Sequence, residues 1–200
     1  MESKFTKQES MEIITEMINR ARNNVRKGSA NSMIFNGYAG AIIAIANFIL
    51  LQLLPNEYLN YSYYIWCLMF PVWMIDHYIE RKVDKTSMVK TDIDKIISSA
   101  WSGFTISIVI FMITLYAIVY TLGTWQSLVA ITPIIMAMVA IPEFVMARTC
   151  RFKPFLWGAI VFWAGALLCI IIICIFKRGD LQLVIFAISM FFGFIIPGHK

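Results

Sequence analysis

Five side chains in this sequence have the chemistry of a catalytic or metal-binding set: Asp76, His77, Glu80, Glu143 and His199. Asp76 and His77 are adjacent, and Glu80 follows at four and three residues, spacings that bring it beside either one on a helix. Carboxylates and imidazoles together hold a cation, or pass a proton between an acid and a base. The five nevertheless come from three separate stretches, "IDHYIE", "IPEF" and "IIPGHK", and no local motif such as His-Glu-x-x-His ties them to one frame. No Gly-x-Ser-x-Gly and no phosphate-cradling loop occurs either. What these residues do depends on the elements that place them.

Those elements are apolar. Of 200 residues, 60% are hydrophobic and only 14% are charged, with a mean hydropathy of +0.72, whereas a soluble domain is about a quarter charged. The apolar residues fall into six blocks, at 33–54, 61–79, 98–122, 127–147, 154–176 and 181–197. A helix rising about 1.5 Å per residue needs about 20 residues to cross roughly 30 Å of hydrocarbon. A barrel strand would alternate apolar and polar, and these runs do not. Inside lipid a backbone must bond to itself, which leaves continuous helices. The expected fold is all-α: a polytopic transmembrane bundle of six spans, paired as three hairpins over residues 33–200, preceded by a cytoplasmic segment, 1–32.

Charge orients the chain. Fifteen of the 17 Lys and Arg residues lie before the first span, in the two even-to-odd connections or at the C-terminal end; only Lys177 and Arg178 lie opposite. Cationic flanks mark the cytoplasmic side, so both termini are expected there. The net charge of +5 is therefore a topology signal, and nucleic-acid binding is not expected. The first thirty residues carry ten charges and no apolar core, so no cleavable signal is expected. Cys67, Cys150, Cys169 and Cys174 lack paired close spacing, so neither a disulfide nor a thiolate-bound metal is expected, and no cofactor is implied.

Within the cytoplasmic segment, Met11, Ile14, Ile18, Ala21 and Val25 recur every three or four residues, an apolar stripe on a helix. "GSANS" at 28–32 reads as a flexible joint after it. Three partners fit the stripe: the protein's own cytoplasmic loops, the lipid surface, or another chain, either a second copy or a cytoplasmic protein. The outer connections "PNEYLN", "GTWQ" and "KRGD" are too short for an external binding domain.

The hairpins carry a repeat. Gly37, Gly103 and Gly158 each sit near an aromatic early in an odd-numbered span, and 39 residues after each come Asp76, Pro142 and Pro197, always preceded by isoleucine. A genuine repeat relates the hairpins by rotation about the membrane normal and gives "IDHY", "IPEF" and "IIPGH" one depth at the inner face. Asp76, His77 and Glu80 then lie near headgroup level with Arg81 and Lys82 beside them, where a charge is tolerated. Glu143 lies deeper, behind a proline that removes a backbone hydrogen bond; it is expected either to face protein or a water-filled cavity, or to snorkel to the surface and pair with the cations of "RTCR" and "RFK" at 148–153. Asn36 and Asn47 share a face and bond to neighbouring helices. Tyr58, Tyr61, Tyr63, Tyr64, Trp66 and Trp125 form an outer interface belt.

The stretches "EIITEMINRARNNVRKGSANSMIFNGYAG", "RFKPFLWGAIVFWAG" and "FIIPGHK" resemble a group of small bacterial inner-membrane proteins of unknown function. The resemblance implies a few residues beyond Lys200 and, through genes neighbouring small winged-helix regulators, a cytoplasmic protein partner; it assigns no functional residue. Three functions fit these observations. One is a non-enzymatic sensor, scaffold or regulatory partner acting through the cytoplasmic face. The second is a small transporter or channel with a polar site at the inner helix ends, and the third is a membrane enzyme holding a metal among the five polar residues.

Overall fold

The apolar runs do become helices, and their outer surfaces are as apolar as their contacts. The structure is a computed structural model and describes residues 7–84, 92–123 and 125–200. In order it contains α1 (Lys7–Leu53), a 3-10 stretch (Asn56–Leu68), α2 (Met69–Asp84), α3 (Asp92–Leu122), a 3-10 turn (Trp125–Ala130), α4 (Ile131–Cys150), α5 (Lys153–Phe176), α6 (Leu181–Met190), a π-helical turn (Phe191–Ile195) and α7 (Ile196–His199). No strand occurs among the described residues. Among the described residues, five helical segments are long and apolar enough to cross a membrane: Lys27–Leu53, Asp92–Leu122, Leu128–Cys150, Lys153–Phe176 and Leu181–His199. Ile106, Ile110 and Ile113 of α3 and Leu167, Ile170 and Ile171 of α5 are exposed, while Glu143 and Asn47 are buried. That inversion suits a hydrocarbon solvent, and the chain is an all-helical, multi-pass membrane protein.

The expected second crossing is built differently. Residues 56–68, rich in Asn, Tyr and Ser, which are weak helix formers, wind as a 3-10 helix before α2 takes over at Met69. Three residues per turn put Tyr58, Tyr61 and Tyr64 in one exposed column, with ring centroids 6.2 and 6.0 Å apart. Trp66 points inward instead, edge-on to Phe186 of α6 at 5.5 Å. The side chains of Tyr63 and Trp125 lie outside the described residues.

α1 corrects a second expectation. Residues 28–32 form no joint: the helix is unbroken from Lys7 to Leu53. One glycine costs a helix only about 1 kcal/mol, and the next turn is held by bonds from Ser32 and Asn36 to Asp76 of α2.

The helices touch in the order α2, α1, α6, α5, α4, α3, and the arc curls so that α1 also meets α3 and α4. Among the described residues α2 and α3 share no contact. A threefold arrangement of hairpins needs that contact beside α4–α5 and α6–α1, so the arc is open where the rotation would close it. The core lies between α1, α4, α5 and α6, around Ala44, Met136, Phe155, Phe162, Met190 and Phe194. Glycines allow this closeness. Gly37 of α1 faces Ile195 and Phe194, Gly40 faces Met190, and Gly193 in the π-turn lies under the Phe162 ring, whereas Gly103 of α3 faces open space.

Candidate functional site

Glu143 is the centre of the interior. It sits on α4 one residue after Pro142, inside the helix, and is 0% exposed. Pro142 has no N–H for the Met138 carbonyl, so α4 is weakened beside it. Opposite, α6 widens into the π-turn at Phe191–Ile195, and Pro197 withholds from the Gly193 carbonyl its ordinary helical donor. α5 supplies the floor. A Cβ added to Gly158 would overlap both a Glu143 carboxyl oxygen and the Gly193 carbonyl oxygen. Both oxygens thus border the space over one glycine, at the irregular points of two helices. Neither carboxyl oxygen of Glu143 has a hydrogen-bond partner. The nearest cation along α4, Arg148, is exposed and lies over the Phe144 ring at 5.6 Å.

Two further buried polar groups stand toward the other end. Asn47 is 0% exposed, on the face of α1 that carries Gly40 and Ala44, and neither of its polar side-chain atoms is paired. Gln182 near the start of α6 is buried with its carbonyl oxygen unpaired. Ser189 lies between, against Gly165 of α5.

The other expected site residues do not join Glu143. Asp76 is buried against α1, where Oδ2 accepts from Ser32 Oγ at 2.6 Å and Asn36 Nδ2 at 2.5 Å. This clasp fixes α2 to α1 and uses one of the two expected asparagine contacts. His77 is exposed, its ring stacked on Trp73 at 5.8 Å. His199 is exposed at the C-terminal end, edge-on to Tyr38 at 6.4 Å. The Glu80 side chain lies outside the described residues. No three His, Cys, Asp or Glu side chains among the described residues come together to hold an ion. Asp76 and Glu143 also differ in setting, one clasped to α1 and the other facing α5 and the π-turn, so the repeat does not give its three segments one environment.

The stripe is bare. Met11, Ile14 and Ile18 are all exposed, so the reading in which the stripe packs on the protein's own loops is not seen at these positions. The side chains of Ala21 and Val25 lie outside the described residues. A shallow groove of about 330 Å³ opens where α1 meets the C-terminal end, lined by Lys27, Asn31, Phe152 and His199 among others; Glu143, Asn47 and Gln182 do not line it.

At the opposite end Arg178 donates to both carboxyl oxygens of Asp180, and Gln52 of α1 donates to one of them at 3.1 Å. The Arg178 hydrogen bonds hold the Asp180 carboxyl below the usual aspartate range, and Asp180 in turn raises Arg178.

The partners of Glu143 were not legible in the sequence. Gly193 and the π-turn carry no local signal, although Gly158, Pro142 and Pro197 stand out as members of the repeat. Compared with protein-family models, curated proteins and solved structures, the chain matches none.

Proposed function

We propose that this chain is a six-span protein of the bacterial inner membrane that acts as a non-enzymatic sensor or regulatory partner, with the cytoplasmic part of α1 as its output. The observation that carries this reading is the continuity of α1. On one face of α1, Gly37, Gly40, Ala44 and Asn47 are buried in the bundle; further back on the same helix, the stripe residues Met11, Ile14 and Ile18 are bare. A rotation or slide of α1 inside the bundle therefore moves the stripe with it. The described part of α1 before Lys27 adds about 30 Å of helix at 1.5 Å per residue. Without a bend, that length carries the stripe away from the bilayer surface, which favours another protein chain as the partner over lipid.

Six crossings with both ends cytoplasmic rest on two supports. The Lys and Arg distribution favours that orientation. Residues 61–79, part 3-10 at about 2.0 Å per residue and part α at about 1.5 Å, reach roughly 30 Å, the thickness of the hydrocarbon.

A photo-crosslinking residue at position 14 or 18 of the full chain in native membranes tests the reading, with position 16 or 23 as the opposite-face control. A discrete protein adduct from the stripe alone is expected, at twice the chain's mass if the partner is a second copy. Lipid adducts alone, or equal adducts from both faces, would contradict it. The transporter reading draws on Glu143, Asn47 and Gln182, three unpaired polar groups inside one bundle. The metal-enzyme reading has the least support, because among the described residues Asp76, His77, Glu143 and His199 do not come together.

A further inference from the structure

A Glu143 carboxyl oxygen and the Gly193 carbonyl oxygen border the same space over Gly158, and neither Glu143 oxygen has a hydrogen-bond partner. An ionised carboxylate would turn negative oxygen toward a carbonyl oxygen, over a glycine, with no cation between them. Burying such a charge unpaired is among the most unfavourable arrangements a bundle can hold. A carboxylic acid reverses the sign of the interaction, because its O–H is a donor and the Gly193 carbonyl is an acceptor that Pro197 has deprived of one. We propose that Glu143 is a proton-binding site, whose bound proton bridges α4 to the π-turn of α6 as an O–H hydrogen bond to the Gly193 carbonyl oxygen.

Among the described residues, the surroundings contain nothing else to balance a charge. On α5 the floor is Gly158, with Phe155, Ala159 and Phe162 buried around it, and the one cationic side chain of that helix, Lys153, is exposed at its start. Between Leu181 and Pro197 there is no titratable side chain, and His199 beyond them faces Tyr38. On α4 itself Arg148 is turned out over Phe144. On α3 the charges of Asp92, Asp94 and Lys95 lie in its first turn. On α1 Lys27 lies in the groove at the end of the bundle.

The site has a mechanical consequence. Releasing the proton breaks the bridge and leaves a charge in the interior, so release requires α4 and the π-turn to part far enough to admit water or a cation. Both are built to part there, α4 at Pro142 and α6 at its widened turn. Gly37 of α1 packs on the same turn, against Phe194 and Ile195, so such a movement reaches the helix that carries the stripe.

Infrared spectroscopy of the full chain in lipid nanodiscs, with ¹³C in the glutamate side-chain carboxyl, tests this directly. At pH 7 an unburied glutamate, with a pKa of about 4.3, is ionised. A label-shifted carboxylic-acid carbonyl band is therefore expected from one glutamate only, and Glu143→Gln should abolish it. Glu143→Gln, whose amide N–H can donate to the same carbonyl, should also keep the unfolding temperature of the original chain, while Glu143→Leu lowers it. A labelled spectrum showing carboxylate alone would overturn the proposal, as would an acid band that survives in Glu143→Gln or a Gln variant that unfolds as early as the Leu variant. If neither variant folds, the labelled spectrum of the unaltered chain decides by itself.

Discussion

Gly158→Ala and Gly103→Ala make the same chemical change at equivalent positions of the repeat, and the structure gives them opposite signs. At Gly158 the new methyl would overlap the Glu143 carboxyl and the Gly193 carbonyl. One is a fully buried side chain; the other is backbone. Overpacking typically costs about 1–3 kcal/mol, and an overlap with backbone belongs at the upper end, about 3 kcal/mol. At Gly103 nothing lies within 4 Å, so only helix propensity acts, and Ala is better than Gly by up to about 1 kcal/mol. At about 2–4 °C per kcal/mol for a chain of this size, Gly158→Ala should unfold roughly 6–12 °C earlier than the parent and Gly103→Ala at the same temperature or slightly later. Intrinsic tryptophan fluorescence during a thermal ramp in mild detergent reads both. Equal shifts would refute the packing described for α4, α5 and α6, because helix propensity alone treats the two sites alike.

Three other outcomes follow from the hydrogen bonding. Asp76→Ala removes the acceptor for Ser32 and Asn36 and should lower stability by about 1–2 kcal/mol, whereas His77→Ala next to it, lacking any bond to α1, should change little; proteolysis of the α1–α2 hairpin or thermal unfolding distinguishes them. Asn47→Leu, which replaces two buried and unpaired polar atoms with a side chain of similar size, is expected to stabilise by about 1–3 kcal/mol, and a loss of stability would point to a partner for Asn47 inside the bundle. Asp180 has a folded pKa held below its unfolded value, so its contribution is complete above an unfolded pKa of about 3.9 and is lost as pH falls through the lower folded value. Asp180→Asn should accordingly unfold earlier than the parent at neutral pH, the two converging in acid; a gap that persists at the lowest pH would contradict the Arg178 pairing.

The apolar runs were legible because lipid demands a helix from each of them, and composition alone carries that demand. Continuity of α1 was not, because Gly28, Ser29 and Asn31 have the composition of a joint, and what holds the next turn is a carboxylate on another helix, Asp76. The 3-10 stretch before α2 hid for a related reason: residues 61–68 are apolar enough for a span, and hydropathy does not distinguish a wide helix from a narrow one. Pro142 and its depth singled out Glu143, but sequence did not choose between an interior position and snorkelling to the cations at 148–153, because that choice depends on which helix packs against α4. The counterpart of Glu143 was hidden, since Gly193 becomes an acceptor through a π-turn and a proline that matter only once α6 lies beside α4. The repeat was partly informative. Pro142 and Pro197 flank the one space over Gly158, while Asp76 is tied to α1 and the α2–α3 neighbour that a closed rotation requires is missing among the described residues.

The most direct test of the role given to α1 is a distance along it. Spin labels at Met11 and Ile45, both exposed, in a chain whose exposed Cys67 and Cys174 are replaced by serine, are separated by about 50 Å along an unbroken helix at 1.5 Å per residue. Pulsed dipolar measurement in nanodiscs should give one narrow distribution near that length. A broad or markedly shorter distribution would mean a hinge between residues 28 and 32, and a stripe disconnected from the bundle that is proposed to drive it.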